Sequence, residues 1–291
     1  MRPWARLGAA LVLVAGVTLW LGLRAEAPPP RPAVLVVGDS LVESARSEIS
    51  AGSAPGTISI LAANGASPCD VWDGYRPAPS QSDAEISFRA TLDFWRPRTV
   101  VFAFSGNAGV TGSPCFTAGT DYRLAGLVAA YRRAIDAMGV YAAHRGAAVY
   151  LSAAPPRNPA VPEGWVAGVQ WGFNGDPAFN DMLSTLAAAR GWTYDTGAAA
   201  RLSGLAGDWA LRLPCVAADG PFCTGGTVQV RYGTTDPIHF DQPGTNGAAS
   251  PSAGALRFAV GLVTRPLADQ GVAALGEPWA TCGASAPCRR W

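Results

Sequence analysis

Residues 33–41 read AVLVVGDSL, and this stretch decides the fold. Five apolar residues, 33–37, run without interruption and stop at Gly38. A short apolar run that ends at a glycine is typical of a strand buried on both faces of a parallel sheet. The residues that follow, 41–49, can form a helix. A buried strand, a tight turn and a helix in this order predict an α/β protein.

The same alternation continues along the chain. Four more segments are predicted to be strands, at residues 57–63, 99–104, 147–153 and 192–196. Helices are predicted over residues 121–144, 177–190 and 248–264. Strands that alternate with helices indicate a parallel sheet between two helical layers. Two stretches rich in aromatic residues, 66–90 and 155–176, interrupt the alternation. Their rings are expected either to contact a ligand at the sheet edge or to pack beneath their own loops.

The first 32 residues indicate export. Residues 7–23, LGAALVLVAGVTLWLGL, carry no charge and follow Arg2 and Arg6. At about 1.5 Å per residue they span roughly 26 Å, enough for a transmembrane signal-anchor. The basic flank predicts that residues 1–6 are cytoplasmic and that the rest lies outside the membrane. Residues 24–32 form a Pro-rich linker. Its AEA sequence leaves a cleaved signal peptide as the alternative, which would make the protein secreted.

Composition excludes several classes of protein. A hydrophobic fraction of 49% excludes a disordered chain. A net charge of +1, with no lysine among the 22 basic residues, does not fit a nucleic-acid-binding surface. No G-x-G-x-x-G follows the first strand and no HExxH occurs, so neither a dinucleotide cofactor nor a metal is indicated.

Six cysteines, an even number in an exported chain, suggest three disulfides. A structural zinc site is not expected, because C-x-x-C is absent and the chain has only two histidines. Fifteen pairings are open. The candidates are two local pairs and one long-range pair: Cys215–Cys223, Cys282–Cys288 and Cys69–Cys115.

Residues suited to nucleophilic catalysis follow the predicted strands. Ser40 stands at a strand-to-helix turn, where its hydroxyl and its backbone N–H face the same space. Gly65 and Asn107 follow the next two strands and can supply hydrogen-bond donors. Near the C-terminus, His239 can accept the serine proton if a carboxylate holds its other ring nitrogen. Asp236 is the expected carboxylate, with Asp241 as the alternative. Asp39 is expected to order the loop as a hydrogen-bond acceptor.

Together these motifs resemble the SGNH (GDSL) hydrolase family. Ser40 in G-D-S-L, Gly65, Asn107 and an Asp236-x-x-His239 occur in the family's order, and the resemblance covers residues 33–265. It implies a flavodoxin-like three-layer sandwich with sheet order 2-1-3-4-5. It also implies a Ser40–His239–Asp236 triad and an oxyanion hole from Ser40, Gly65 and Asn107. The third block departs from the family's Gly-x-Asn-Asp, because Ser-Gly-Asn-Ala stands here. Residues 266–291 are predicted to be a tail held by Cys282 and Cys288.

Three functions are compatible with these residues. The first is an exported esterase that acts on acyl esters of carbohydrate or lipid through an acyl-enzyme. The second is an O-acyltransferase that uses the same residues to modify a cell-envelope polysaccharide. With a single membrane span in this chain, its acyl donor would come from a separate membrane protein. The third is a catalytically silent module that binds the envelope.

Overall fold

The computed structural model describes residues 31–73, 87–106, 124–160, 165–166, 169–170, 177–231, 239–240 and 252–272. Its central sheet has five parallel strands in the order β2-β1-β3-β4-β7. This order confirms the predicted flavodoxin-like arrangement. Two antiparallel pairs, β5–β6 and β8–β9, lie outside it. The strands are β1 (Val34–Gly38), β2 (Ile58–Ala62), β3 (Thr99–Ala103), β4 (Ala148–Ser152), β5 (Trp165–Val166), β6 (Val169–Gln170), β7 (Thr193–Asp195), β8 (Arg212–Pro214) and β9 (Thr227–Gln229).

Eight helices are described between these strands. They are α1 (Ser40–Ser44), α2 (Arg46–Ala51), α3 (Pro68–Asp73), α4 (Phe88–Trp95), α5 (Leu124–His144), α6 (Pro177–Arg190), α7 (Gly197–Ala200) and α8 (Ala253–Asp269). A 3₁₀ segment, Ala217–Phe222, precedes β9. Among the described residues, no helix is both long enough and apolar enough to cross a bilayer. The predicted span over residues 7–23 lies outside this part of the chain.

The sheet separates two cores, as strand periodicity requires. Leu35 and Val37 of β1 belong to one core, with residues of α4, α5 and α6. Val34 and Val36 belong to the other, with residues of α1, α2 and α8. Alternate residues of one strand are therefore buried on opposite faces, which explains why β1 is apolar at every position. The three-layer sandwich follows directly from this pattern.

Two predicted helices differ from those observed. The helix predicted over residues 41–49 is divided at Ala45, which has φ −98° and ψ 10°. The last helix begins later than predicted, because the Ser252 hydroxyl accepts a hydrogen bond from the Ala255 N–H (3.0 Å) and caps it. It also continues through Pro266 to Asp269. A proline inside a helix removes one N–H donor and crowds the carbonyl four residues earlier. The burial of Pro266 and Leu267 in the core helps to offset this cost.

A disulfide fastens the β8–β9 hairpin. Cys215 and Cys223 are joined, as predicted, with their Cα atoms 5.8 Å apart. Between them, Asp219 forms a buried ion pair with Arg257 of α8 (Arg257 Nε to Asp219 Oδ1, 2.9 Å). Cys69 is also disulfide-bonded. Its predicted partner Cys115 lies outside the described residues, as do Cys282, Cys288 and the tail beyond residue 272.

Candidate active site

The nucleophile turn, residues 38–40 with the predicted nucleophile Ser40, follows β1. It leaves almost no free space at its first residue, Gly38. A Cβ at Gly38 would lie 2.4 Å from the Ala103 carbonyl oxygen and 2.3 Å from Val42 Cγ2, so only glycine fits. Asp39 then caps α1, because its Oδ1 accepts a hydrogen bond from the Leu41 N–H (3.1 Å). Ser40 is the first residue of that helix and is 7% exposed. The serine is thus held by a strand on one side and a capped helix on the other.

His239 lies against this serine. Its Nε2 is 2.9 Å from Ser40 Oγ, although 199 residues separate the two along the chain. The next residue, Phe240, is buried and packs on Phe258 of α8, with ring centroids 5.2 Å apart. This aromatic contact places the histidine at the carboxyl edge of the sheet. In the tautomer that carries its proton on Nδ1, Nε2 accepts the Ser40 O–H.

Strand register brings two further turns to the same edge. Gly38 pairs with Ala62 of β2 and with Ala103 of β3. The turns that follow these three strands therefore begin side by side at the carboxyl edge of the sheet. After β2, a turn is closed by the Ala66 N–H on the Ala63 carbonyl (3.2 Å). Gly65 occupies this turn with φ +73°, a conformation that glycine adopts readily.

The turn after β3 is tied to the nucleophile turn by Asp39. Its Oδ2 accepts hydrogen bonds from both the N–H and the hydroxyl of Ser105, each at 2.6 Å. Asp39 is fully buried. Burial raises the pKa of Asp39, whereas the hydrogen bonds from Ser105 and Leu41 and the nearby His239 lower it in part. Asp39 therefore orders the loop as expected, and Ser105 is its partner.

Several predicted site residues lie outside the described part of the chain. These are Asp236, its alternative Asp241, and Asn107. In the aromatic stretch over residues 66–90, Trp72 packs edge-on against Tyr141, with ring centroids 5.5 Å apart. Trp72 is therefore a partly buried residue that packs against the protein's own core. Within the described residues, no group of three or more acidic, histidine or cysteine side chains could hold a metal ion.

The arrangement is suited to nucleophilic attack by Ser40. The imidazole at hydrogen-bond distance can take the hydroxyl proton as the oxygen attacks an electrophilic carbon. Ser105 is the site residue that motif reasoning did not single out. Its signal was the serine directly after an apolar strand, but only the strand register shows that it meets Asp39.

Similar solved structures come from lipases, esterases and a transferase. No protein-family model matches the chain, and no curated protein matches it. A GDSL-like lipase from Bacteroides thetaiotaomicron is 10% identical, covers 81% of this chain and 88% of that chain, and has a TM-score of 0.41. A carbohydrate acetylesterase from Sinorhizobium meliloti is 14% identical, covers 82% of this chain and 99% of that chain, and has a TM-score of 0.43. The periplasmic domain of a lipopolysaccharide acetyltransferase from Salmonella ser. Paratyphi A is 12% identical, covers 82% of this chain and 85% of that chain, and has a TM-score of 0.42. At these identities and TM-scores, the likeness carries no inference about what this chain does.

Proposed function

We propose that the chain is an extracytoplasmic serine ester hydrolase that acts on acyl esters of carbohydrate or lipid. The observation that supports this function is the 2.9 Å contact between Ser40 Oγ and His239 Nε2 at the carboxyl edge of the sheet. A serine hydroxyl is a weak nucleophile unless a base takes its proton, and an imidazole in hydrogen-bond contact is such a base. Open α/β sheets also bind their ligands at this edge.

The reaction proceeds in two halves. Ser40 Oγ attacks the ester carbonyl carbon while its proton moves to His239 Nε2, and the carbonyl oxygen becomes an oxyanion. When the tetrahedral intermediate collapses, the bond to the alcohol oxygen breaks and His239 returns the proton to that oxygen. The acyl group stays on Ser40. Water then attacks the acyl-enzyme by the same sequence and releases the free acid.

Two supporting roles belong to this proposal. Asp236 orients His239 through Nδ1, and the Ser40 N–H, the Gly65 N–H and the Asn107 side chain hold the oxyanion. The positive φ of Gly65 supports the second role, because a glycine without a Cβ lets a substrate approach the backbone closely. Donors of this kind act within about 2.7–3.1 Å of the developing charge.

Cysteine chemistry supports export. All three described cysteines, Cys69, Cys215 and Cys223, are disulfide-bonded. Disulfides form and persist in oxidising compartments. With residues 7–23 as the proposed membrane anchor, the catalytic domain lies outside the cytoplasmic membrane, where envelope glycans and lipids are the available acyl esters.

Hydrolysis of p-nitrophenyl acetate by the full chain tests the reaction, followed by a panel of acylated sugars and lipids. Ser40→Ala is expected to abolish acetyl-enzyme formation, detected by mass spectrometry of the Ser40 peptide. Ser203→Ala is the matched control, because the Ser203 hydroxyl donates a local hydrogen bond to the Ala199 carbonyl (2.7 Å). If Ser40→Ala forms the same acetyl-enzyme as the wild type, the assignment of the nucleophile is wrong.

Product analysis distinguishes the remaining functions. Free acid is the expected product. Ester that appears on an added glycan, with little free acid, would identify an O-acyltransferase instead. No acyl-enzyme with any ester of the panel would indicate a silent binding module.

A further inference from the structure

Asp39 holds together two turns that are far apart in sequence. Its Oδ1 accepts a hydrogen bond from the Leu41 N–H (3.1 Å) within the nucleophile turn. Its Oδ2 accepts two hydrogen bonds from Ser105, 66 residues away, after β3. One carboxylate therefore uses both of its oxygens, each on a different turn of the candidate site.

Burial makes the hydrogen bonds between Asp39 and Ser105 costly to lose. Asp39 is fully buried and Ser105 is 1% exposed, so water cannot readily replace a lost donor. Removing a donor from a buried acceptor is costly, and the cost reaches the full desolvation penalty when the acceptor is left unsatisfied. Hydrogen bonds to a charged carboxylate are about twice as strong as those between neutral groups. The Ser105 hydroxyl is thus a strong link between the two turns, and the Ser105 N–H provides a second bond to the same oxygen.

We propose that Asp39 is a positioning residue that sets the turnover number by fixing, through the Ser105 hydroxyl, the turn after β3 against the turn that carries Ser40. The inference rests on the proposed function. Attack by Ser40 and stabilisation of the oxyanion require that groups on both turns meet at one point, and an error of about 1 Å can reduce the rate by about 10²-fold. A loosened link weakens transition-state contacts more than ground-state binding, so kcat falls while KM stays nearly constant.

Ser105→Ala tests this in the full chain, with p-nitrophenyl acetate as substrate. The variant keeps the N–H bond to Asp39 and loses only the hydroxyl. Its kcat is expected to fall by about 10–100-fold, with KM within about twofold. Thr99→Val is the matched control. Thr99 is a buried hydroxyl residue at the other end of β3, where Oγ1 accepts a hydrogen bond from Gln270 Nε2 (3.0 Å). This variant is expected to keep the wild-type kcat.

Two further variants separate positioning from a general loss of stability. Ser105→Thr keeps a hydroxyl and is expected to recover most of the kcat that Ser105→Ala loses. Asp39→Asn has a single side-chain oxygen and cannot accept from both turns. If both residues act through one contact, their effects are coupled, and the double variant loses less kcat than the product of the two single losses. Should Asp39→Asn fail to fold, the Ser105 variants and Thr99→Val decide the question alone.

Ser40→Ala in the same assay keeps the two proposals distinguishable. If Ser40→Ala retains activity, the proposed nucleophile is wrong. If it is inactive while Ser105→Ala turns over at the wild-type rate, the positioning role is overturned and the proposed function stands. Equal losses of kcat in Ser105→Ala and Thr99→Val, or a Ser105→Thr variant as slow as Ser105→Ala, also overturn the positioning role.

Discussion

Gly38→Ala gives a direct test of how closely β1 and β3 approach at the candidate site. The new Cβ would lie 2.4 Å from the Ala103 carbonyl oxygen, whereas an ordinary contact begins at 3.4 Å. The two strands must therefore separate by about 1 Å at the end from which Asp39 and Ser105 continue. Overpacking of a tight interior commonly lowers the free energy of unfolding by about 1–3 kcal/mol. A displacement of this size next to a nucleophile also reduces kcat by about 10²-fold.

Gly52→Ala is the matched control for this substitution. Gly52 ends α2 with φ −71°, and the closest atom to its new Cβ would be 3.5 Å away. The same change there is expected to leave kcat unchanged and to raise stability slightly, because alanine restricts the unfolded chain. Urea unfolding gives the free energies, and ester hydrolysis gives kcat and KM for both variants.

Two results would contradict the reasoning. If Gly38→Ala matches Gly52→Ala in both stability and kcat, the strands can separate without consequence and their close approach does not position the site. If Gly38→Ala is destabilised but keeps the wild-type kcat, the displacement does not reach Ser40. Only a joint loss of stability and kcat agrees with the geometry.

Three further predictions concern stability. Asp219→Ala leaves Arg257 buried without its carboxylate and should lower the free energy of unfolding by about 3–5 kcal/mol, measured by urea unfolding. Cys215→Ser combined with Cys223→Ser opens a loop with a sequence separation of 8, which should cost about 2.5 kcal/mol in the same assay. Burial and a hydrogen bond to a carboxylate raise the pKa of Tyr150 to about 12. The folded state therefore holds the Tyr150 hydroxyl proton more tightly than the unfolded state. As the pH rises from 10 to 12, the free energy of unfolding falls because the unfolded state loses this proton first. The tyrosinate absorbance that Tyr150→Phe removes should then appear near pH 12; its appearance near pH 10 would contradict the assigned environment.

The centre of the five-stranded sheet was predictable because β1, β3 and β4 are buried almost throughout, whereas the edge strands β2 and β7 are mostly half-buried. The predicted segments match all five strands to within one residue at each end. Helices α3 and α4 were not predicted, since the residues around them are rich in proline and aromatic side chains. The Ser87 hydroxyl caps α4 locally, whereas the packing of Phe88 on Phe102 is a tertiary contact that no local pattern shows.

The β8–β9 hairpin was also beyond sequence reasoning. Its strands have three residues each, so the single buried residue at the centre of each strand is too short a pattern to predict a strand. The predicted local disulfide Cys215–Cys223 closes the hairpin, and the Asp219–Arg257 pair, between residues 38 apart in sequence, joins it to α8. Local propensity alone cannot show such an ion pair.

Motifs indicated which residues carry chemistry but not how the turns are joined. Ser40 and His239 stand in short, recognisable sequences, and the structure places Ser40 Oγ and His239 Nε2 2.9 Å apart. The link between Asp39 and Ser105 depends on the register of β1 against β3, which no local pattern encodes. A resemblance to a family gives the order of the blocks, whereas the register gives the distances between them.

Ser105 also gives a physical reason for a departure from the family that the sequence resembles. That family usually has Gly-x-Asn-Asp in its third block, and this chain has serine in the first position and alanine in the last. Glycine at position 105 would leave the N–H bond to Asp39 and remove the hydroxyl bond of 2.6 Å. Asp39 is fully buried, so the lost donor would raise the free energy of its charged form. The serine that replaces the family's glycine is therefore the residue that donates to the buried Asp39 carboxylate. Through this contact the sequence of the third block is coupled to the turn that carries Ser40.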